Sequence, residues 1–115
     1  MSQHGQIGIT EAQIDLLDAA QRFCREQSPM DKVRALISSD LGYDRVVWEK
    51  IGQLGWLAMT LPEAYGGVGL TLTEAVPVAE QMGRYMLAAP FISTTLAAQA
   101  LMTAGLPAQK NDYLT

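Results

Sequence analysis

Cysteine, histidine and charge are all scarce in this 115-residue chain, and each scarcity removes a class of function. The single cysteine, Cys24, forbids an intrachain disulfide and fits a reducing compartment. His4 is the one histidine, so a histidine-based triad or a His/Cys metal cluster lacks its raw material. Charged residues make up 17% of the chain, against about 25% in an average soluble domain. The formal net charge of −4 comes from dispersed residues, and Lys and Arg nowhere gather into the positive stripe that a phosphate backbone requires. Nucleic acid is therefore not an expected partner. No apolar run approaches the ~20 residues of a membrane span, and Met1–Gly8 lacks the basic and apolar regions of a secretory signal. A soluble, cytoplasmic protein is the expectation.

What the chain does contain is apolar residues, at 49%, arranged mostly at helical spacing. Its length suits one domain, which at this size buries only about two-thirds of its unfolded surface. Some of the apolar surface then meets another domain or subunit, unless Ala and Met merely inflate the count. No internal repeat or low-complexity segment interrupts the pattern. Residues 1–9 are expected to be a flexible tail, and 10–115 the folded unit.

Thr10 and Gln13 have the spacing of a capping box, and Ile14, Leu17, Ala20 and Cys24 follow as the buried stripe of a first helix. Ser28-Pro29 predicts a stop and the start of a short second helix that turns Val33, Leu36 and Ile37 inward and ends at Gly42. Asp44 is the expected N-cap of a third, with Val47, Ile51 and Leu54 on one face and Gly55 closing it in a left-handed conformation. Trp48 and Trp56 are expected to fill the core, and Leu57 to Leu61 to be irregular. Thr71 and Glu74 again have capping-box spacing ahead of a fourth helix with Ala75, Ala79, Met82 and Met86 as its stripe. Pro77 argues for the later cap at Thr73, where the proline would forfeit only the first bond. A fifth helix, roughly Ser93 to Thr103 and closed by Gly105, is so rich in Ala and Leu that it should lie inside the bundle or against another domain. Pro107 starts a last turn or two. The fold class expected is all-α, an up-and-down-like bundle of five or six helices.

Between the third and fourth helices, Gly66, Gly67 and Gly69 form a loop that is costly in backbone entropy. It reads either as a plain connection or as a segment with a shape to hold. It lacks GxGxxG spacing and a preceding strand, so it is a poor phosphate cradle. Glu63, Glu74 and Glu80 read as surface or capping carboxylates, and no residue is assigned a catalytic role.

The order Gly55-Trp56, Leu61-Pro62-Glu63, Tyr65-Gly66-Gly67, Gly69-Leu70, Glu80 and Gly83-Arg84 resembles the flavin-dependent acyl-CoA dehydrogenases. The resemblance is to their N-terminal helical domain, from about Thr10 onward, with Ala104-Gly105, Gln109-Lys110 and Tyr113-Leu114 matching the pattern that closes it. Pro77 departs from the family pattern. The resemblance implies a middle β domain and a C-terminal helical bundle that hold FAD between them, and a glutamate base in the C-terminal part. None of these would lie in this chain, which alone would then be inactive. The implied reaction removes a proton from the carbon next to a thioester and a hydride from its neighbour, giving a 2,3-enoyl thioester, a step of fatty-acid and lipid degradation.

The same resemblance implies that this domain forms one wall of the slot for the acyl chain. Counting back from Ala104-Gly105 places that wall around Ile92, Thr95 and Leu96, which could equally be ordinary core residues. The Tyr65 to Gly69 loop would shape the mouth of the slot or pack on the middle domain. Implied partners are an acyl-CoA substrate, an acceptor like electron-transfer flavoprotein, the remaining domains, and further subunits of a homo- or hetero-oligomer. Related oxidases, nitroalkane oxidases and monooxygenases share the helical domain, and no residue here separates them. The alternative reading is a stand-alone helical interaction module or a non-catalytic subunit of a mixed oligomer.

Overall fold

The computed structural model describes residues 10–115; the expected tail 1–9, with His4, lies outside the described residues. Six α-helices and no strand occur among them: α1 Glu11–Gln27, α2 Met30–Ile37, α3 Arg45–Gln53, α4 Leu72–Arg84, α5 Phe91–Ala104 and α6 Pro107–Leu114. The domain is a plate of 43 × 42 × 19 Å.

Helix α1 starts where its cap demands. Gln13 N–H donates to Thr10 Oγ1 at 3.1 Å, and Thr10 N–H to Gln13 Oε1 at 2.9 Å. Ala20 and Cys24 are fully buried, with Ile14 and Leu17 half-buried beside them, while Asp15, Asp18, Arg22 and Arg25 face solvent. Helix α2 ends at Ile37, well before Gly42. Two serines intervene: Ser39 Oγ donates to the Leu36 carbonyl at 2.8 Å and accepts from Gly42 N–H at 3.0 Å, a local alternative to the helical ladder. The early stop leaves Ile37 80% exposed rather than turned inward.

Asp44 caps α3 as expected, accepting from Val46 N–H at 2.8 Å, and Gly55 follows at φ +80°. Leu54 falls on the C-cap and is half exposed, so the inward face of α3 holds only Val47 and Ile51. The segment expected to be irregular begins with a 3-10 turn, Trp56–Ala58, and a second 3-10 turn occupies Glu63–Tyr65. Trp56 is buried and stands edge-on to Phe23 at 5.1 Å. Trp48 is half-buried, edge-on to Tyr43.

The glycine loop has a shape to hold. After Tyr65 the chain folds back along Ala58–Pro62: Val68 N–H bonds to the Ala58 carbonyl, Gly69 N–H to Leu61 and Leu70 N–H to Met59. The two limbs of this turn run so close at Gly67 that any side chain there would strike the Leu61 carbonyl.

Helix α4 takes the earlier cap, Thr71, and holds Pro77 in its interior. The competing gain is local: Thr71 Oγ1 donates to Glu74 Oε2 at 2.7 Å and accepts from Thr73 N–H at 3.2 Å, so the box forms in spite of the proline. Its buried residues are Ala75, Val78 and Met82, while Met86 lies past the helix end, at φ +53° and half exposed. Helix α5 starts two residues earlier than expected. Pro90 is its N-cap, and the hydroxyls of Ser93 and Thr94 donate back to the Pro90 carbonyl at 3.3 and 2.6 Å. It is not enclosed by the bundle, because only Phe91, Thr95 and Ala98 are buried.

One core joins α1, α3, α4, Trp56, Met59, Leu87 and Phe91. A smaller cluster of Leu61, Ala98 and Leu114 ties α5 and α6 to the loop, helped by a 3.0 Å bond from Gln99 Nε2 to Thr60 Oγ1. Phe91 brings the start of α5 into the core that α4 shares.

Candidate functional site

Between α4 and the first turns of α5 lies an open groove of about 230 Å³, lined by Leu72, Ala75, Val76, Ala79, Phe91, Ile92, Thr95 and Leu96. The α4 residues recur at i, i+3, i+4 and i+7, one helix face. Ala75, Phe91 and Thr95 form a floor, each less than a tenth exposed, with Ala79 half-buried beside them. Leu72, Val76, Ile92 and Leu96 form a rim, 46%, 62%, 59% and 59% exposed. The lining surface is wholly apolar and includes no titratable group.

All three residues singled out from the sequence therefore share one groove. Ile92 and Leu96 are not core residues; only Thr95 is buried. The facing wall from α4 escaped sequence reading, which assigned Ala75 and Ala79 to the core stripe. No residue of Tyr65–Gly69 lines the groove, since that loop is bonded back on Ala58–Pro62 instead.

A second, polar groove of about 360 Å³ lies on the other flank of α4, against α1, lined by Leu17, Asp18, Gln21, Val76, Pro77, Glu80, Gln81 and Arg84. Gln81 Oε1 is buried there with no hydrogen-bond partner among the described residues. Arg84 lies over the Tyr85 ring, 5.7 Å from its centre.

The candidate acids and nucleophiles stand apart from the apolar groove. Glu74 is a capping carboxylate, held below its ordinary pKa first of all by the Thr71 hydroxyl. Glu63 and Glu80 are exposed. Burial pushes the Cys24 thiol up to about 11, far from the thiolate a nucleophile needs. Among the described residues no group of three or more His, Cys, Asp or Glu is placed to hold a metal, and no helix is long and apolar enough to cross a membrane.

With an apolar exposed surface and its one hydroxyl, on Thr95, buried in the floor, the lining does not fit the pyrophosphate or the polar ring edge of a flavin. It fits hydrocarbon, gaining about 0.8 kcal/mol for each methylene removed from water.

The described residues thus make an all-helical plate with an apolar groove between α4 and α5. The family description "Acyl-CoA dehydrogenase, N-terminal domain" matches residues 10–115, and the chain belongs to that family. It is 41% identical over 76 residues to acyl-CoA dehydrogenase IpdE2 of Mycobacterium tuberculosis, an alignment covering 65% of this chain and 24% of the relative. The chain thus spans about a quarter of the length of the curated relatives it matches. Among solved structures, the ChsE4-ChsE5 complex from Mycobacterium tuberculosis superposes with a TM-score of 0.82 at 30% identity, covering 91% of this chain and 29% of that one. The steroid ACAD variant Tcur3481-Tcur3483 superposes equally well, TM-score 0.82 at 27% identity, covering 90% of this chain and 30% of its own.

Proposed function

We propose that this chain serves as the N-terminal domain of a FAD-dependent acyl-CoA dehydrogenase, with the groove between α4 and α5 forming one wall of the acyl-chain slot. The observation that carries the reading is that groove: wholly apolar, half-exposed at its rim, and lined by Ile92, Thr95 and Leu96. Its task is desolvation. Ile92 and Leu96 cover the alkyl group and hold water away from the carbons that lose a proton and a hydride, while Thr95 and Phe91 support them from beneath. FAD, bound mainly by domains outside this chain, supplies the hydride acceptor. A base outside this chain is supported by the groove lining, which among the described residues includes no carboxylate. This chain alone is then inactive.

The acceptor of the electrons is a protein like electron-transfer flavoprotein. The ChsE4-ChsE5 neighbour is itself a complex, which supports an oligomer and, as a second reading, a non-catalytic subunit within one. The buried free thiol of Cys24 supports a reducing, cytoplasmic setting.

The test is spectroscopic and kinetic. The full-length gene product should purify with flavin absorbance and reduce a dye when given an acyl-CoA. Replacing Leu96 by Asp should raise KM for the thioester through loss of apolar contact, with the melting temperature little changed because the side chain is 59% exposed. A protein free of flavin that turns over no acyl-CoA would refute the proposal.

A further inference from the structure

We propose that the polar groove between α1 and α4 receives a lysine side chain from the part of the polypeptide beyond this chain, and so seats the helical domain on the rest of the protein. The site is separate from the acyl wall, and the proposal rests only on this chain being one domain of a longer protein.

The groove is rich in acceptors that nothing answers. It measures about 360 Å³ and is lined by two carboxylates, Asp18 from α1 and Glu80 from α4. Among the described residues the one ion pair joins Lys32 and Asp44, so neither carboxylate has a cation. Gln81, the next residue on α4, keeps its Oε1 buried and without a hydrogen-bond partner. A buried acceptor in that state is uncommon in native proteins, because it has given up water and gained nothing in return. The groove's own donors are turned elsewhere. Gln21 Nε2 reaches the Tyr85 hydroxyl at 3.5 Å, and the Arg84 guanidinium lies over the Tyr85 ring rather than on Glu80 one turn before it. What the groove lacks is a cation with several N–H donors. An ammonium brings a donor for each of Asp18, Glu80 and the Gln81 Oε1, and its methylene stem suits the Leu17, Val76 and Pro77 side chains that share the lining. The chain spans about a quarter of its curated relatives' length, so most of such a protein is available to supply that lysine. Val76 borders both grooves, so a contact that seats this flank of α4 also steadies the wall on the other.

The experiment uses the full-length protein. Carbodiimide with glycine ethyl ester labels accessible carboxylates, and mass spectrometry should find Asp18 and Glu80 labelled several-fold more slowly than Asp15 and Glu49, although all four are exposed in this domain. Without the ester, the same carbodiimide should join Asp18 or Glu80 through an amide to a lysine beyond residue 115 of the same polypeptide. Glu80→Lys, at an exposed position that spares the fold, should expel that lysine and bring Asp18 labelling up to the rate of Asp15. Wild-type labelling of Asp18 and Glu80 as fast as Asp15 overturns the proposal, the groove then being simply solvated. A cross-link to Lys32, Lys50 or Lys110, a cross-link between two chains, or protection without any cross-link assigns the groove to another occupant and overturns it as well. None of these readings requires turnover, so a protein without acyl-CoA dehydrogenase activity would sink the functional reading and leave this one standing.

Discussion

Gly67→Ala is the most exacting perturbation of the loop that carries much of the family pattern. An alanine Cβ at this position would strike the Leu61 carbonyl oxygen, 2.5 Å from the carbonyl carbon and 2.6 Å from the Leu61 Cβ. The obstacle is mainly backbone, so no rotamer change relieves it. The loop has to move outward, and the bonds closing it are Val68 N–H to Ala58 (3.2 Å), Gly69 N–H to Leu61 (2.8 Å) and Leu70 N–H to Met59 (3.0 Å). Losing two of these at about 1 kcal/mol each, with about 1 kcal/mol of remaining strain, makes a cost of about 3 kcal/mol. Gly66→Ala is the comparison. Gly66 sits at φ +80° with open space around it, so alanine there meets only the left-handed penalty of about 1–2 kcal/mol. Guanidinium unfolding of the purified protein should rank Gly67→Ala well below Gly66→Ala, with the melting temperature of the former reduced by roughly 10–15 °C. Faster hydrogen exchange at the Val68 and Leu70 amides would accompany it. Equal destabilisation by the two alanines would refute the close-approach argument.

Three further outcomes follow from the core and the caps. Ile51 is fully buried, so Ile51→Ala should cost about 2–5 kcal/mol in denaturant unfolding, whereas Ile37→Ala, at an 80% exposed position, should lie within about 0.5 kcal/mol of wild type. Pro77 cannot donate to the Thr73 carbonyl, so Pro77→Ala should restore that bond and raise the melting temperature; a lower one would mean the ring's packing outweighs the missing bond. Asp44 is held below its ordinary pKa chiefly by the Val46 N–H at 2.8 Å. Its folded pKa is the lower one, so its contribution is present above the unfolded value of about 3.9 and fades as pH falls through the folded value. Melting temperatures between pH 2 and 6 should therefore fall more steeply on acidification for wild type than for Asp44→Asn, which keeps a good N-cap; parallel curves would count against the cap's role.

Features decided by a few adjacent residues were legible in the sequence. The Thr10–Gln13 box, the Asp44 cap and the left-handed Gly55 each depend on bonds within one turn, and each forms as expected. Helix ends set by competing local bonds were not: the serines that stop α2 strand Ile37 in solvent, and the Thr71–Glu74 box overrides Pro77. Of the candidate site, Ile92, Thr95 and Leu96 were found through family resemblance rather than periodicity. Their partners Leu72, Val76 and Ala79 were missed because an apolar helical stripe looks the same in sequence whether it faces a packed neighbour or an open channel. Only the rim exposures separate the two.

Helix α2 has no fully buried residue, and its Val33 and Leu36 are only half covered. A segment so lightly anchored should unzip on its own, long before the rest of the domain melts, because little apolar contact is surrendered when it opens. Its amides would then be the earliest to pick up deuterium, and a protease cut between Arg34 and Ala35 could leave α1, α3 and α4 still packed together.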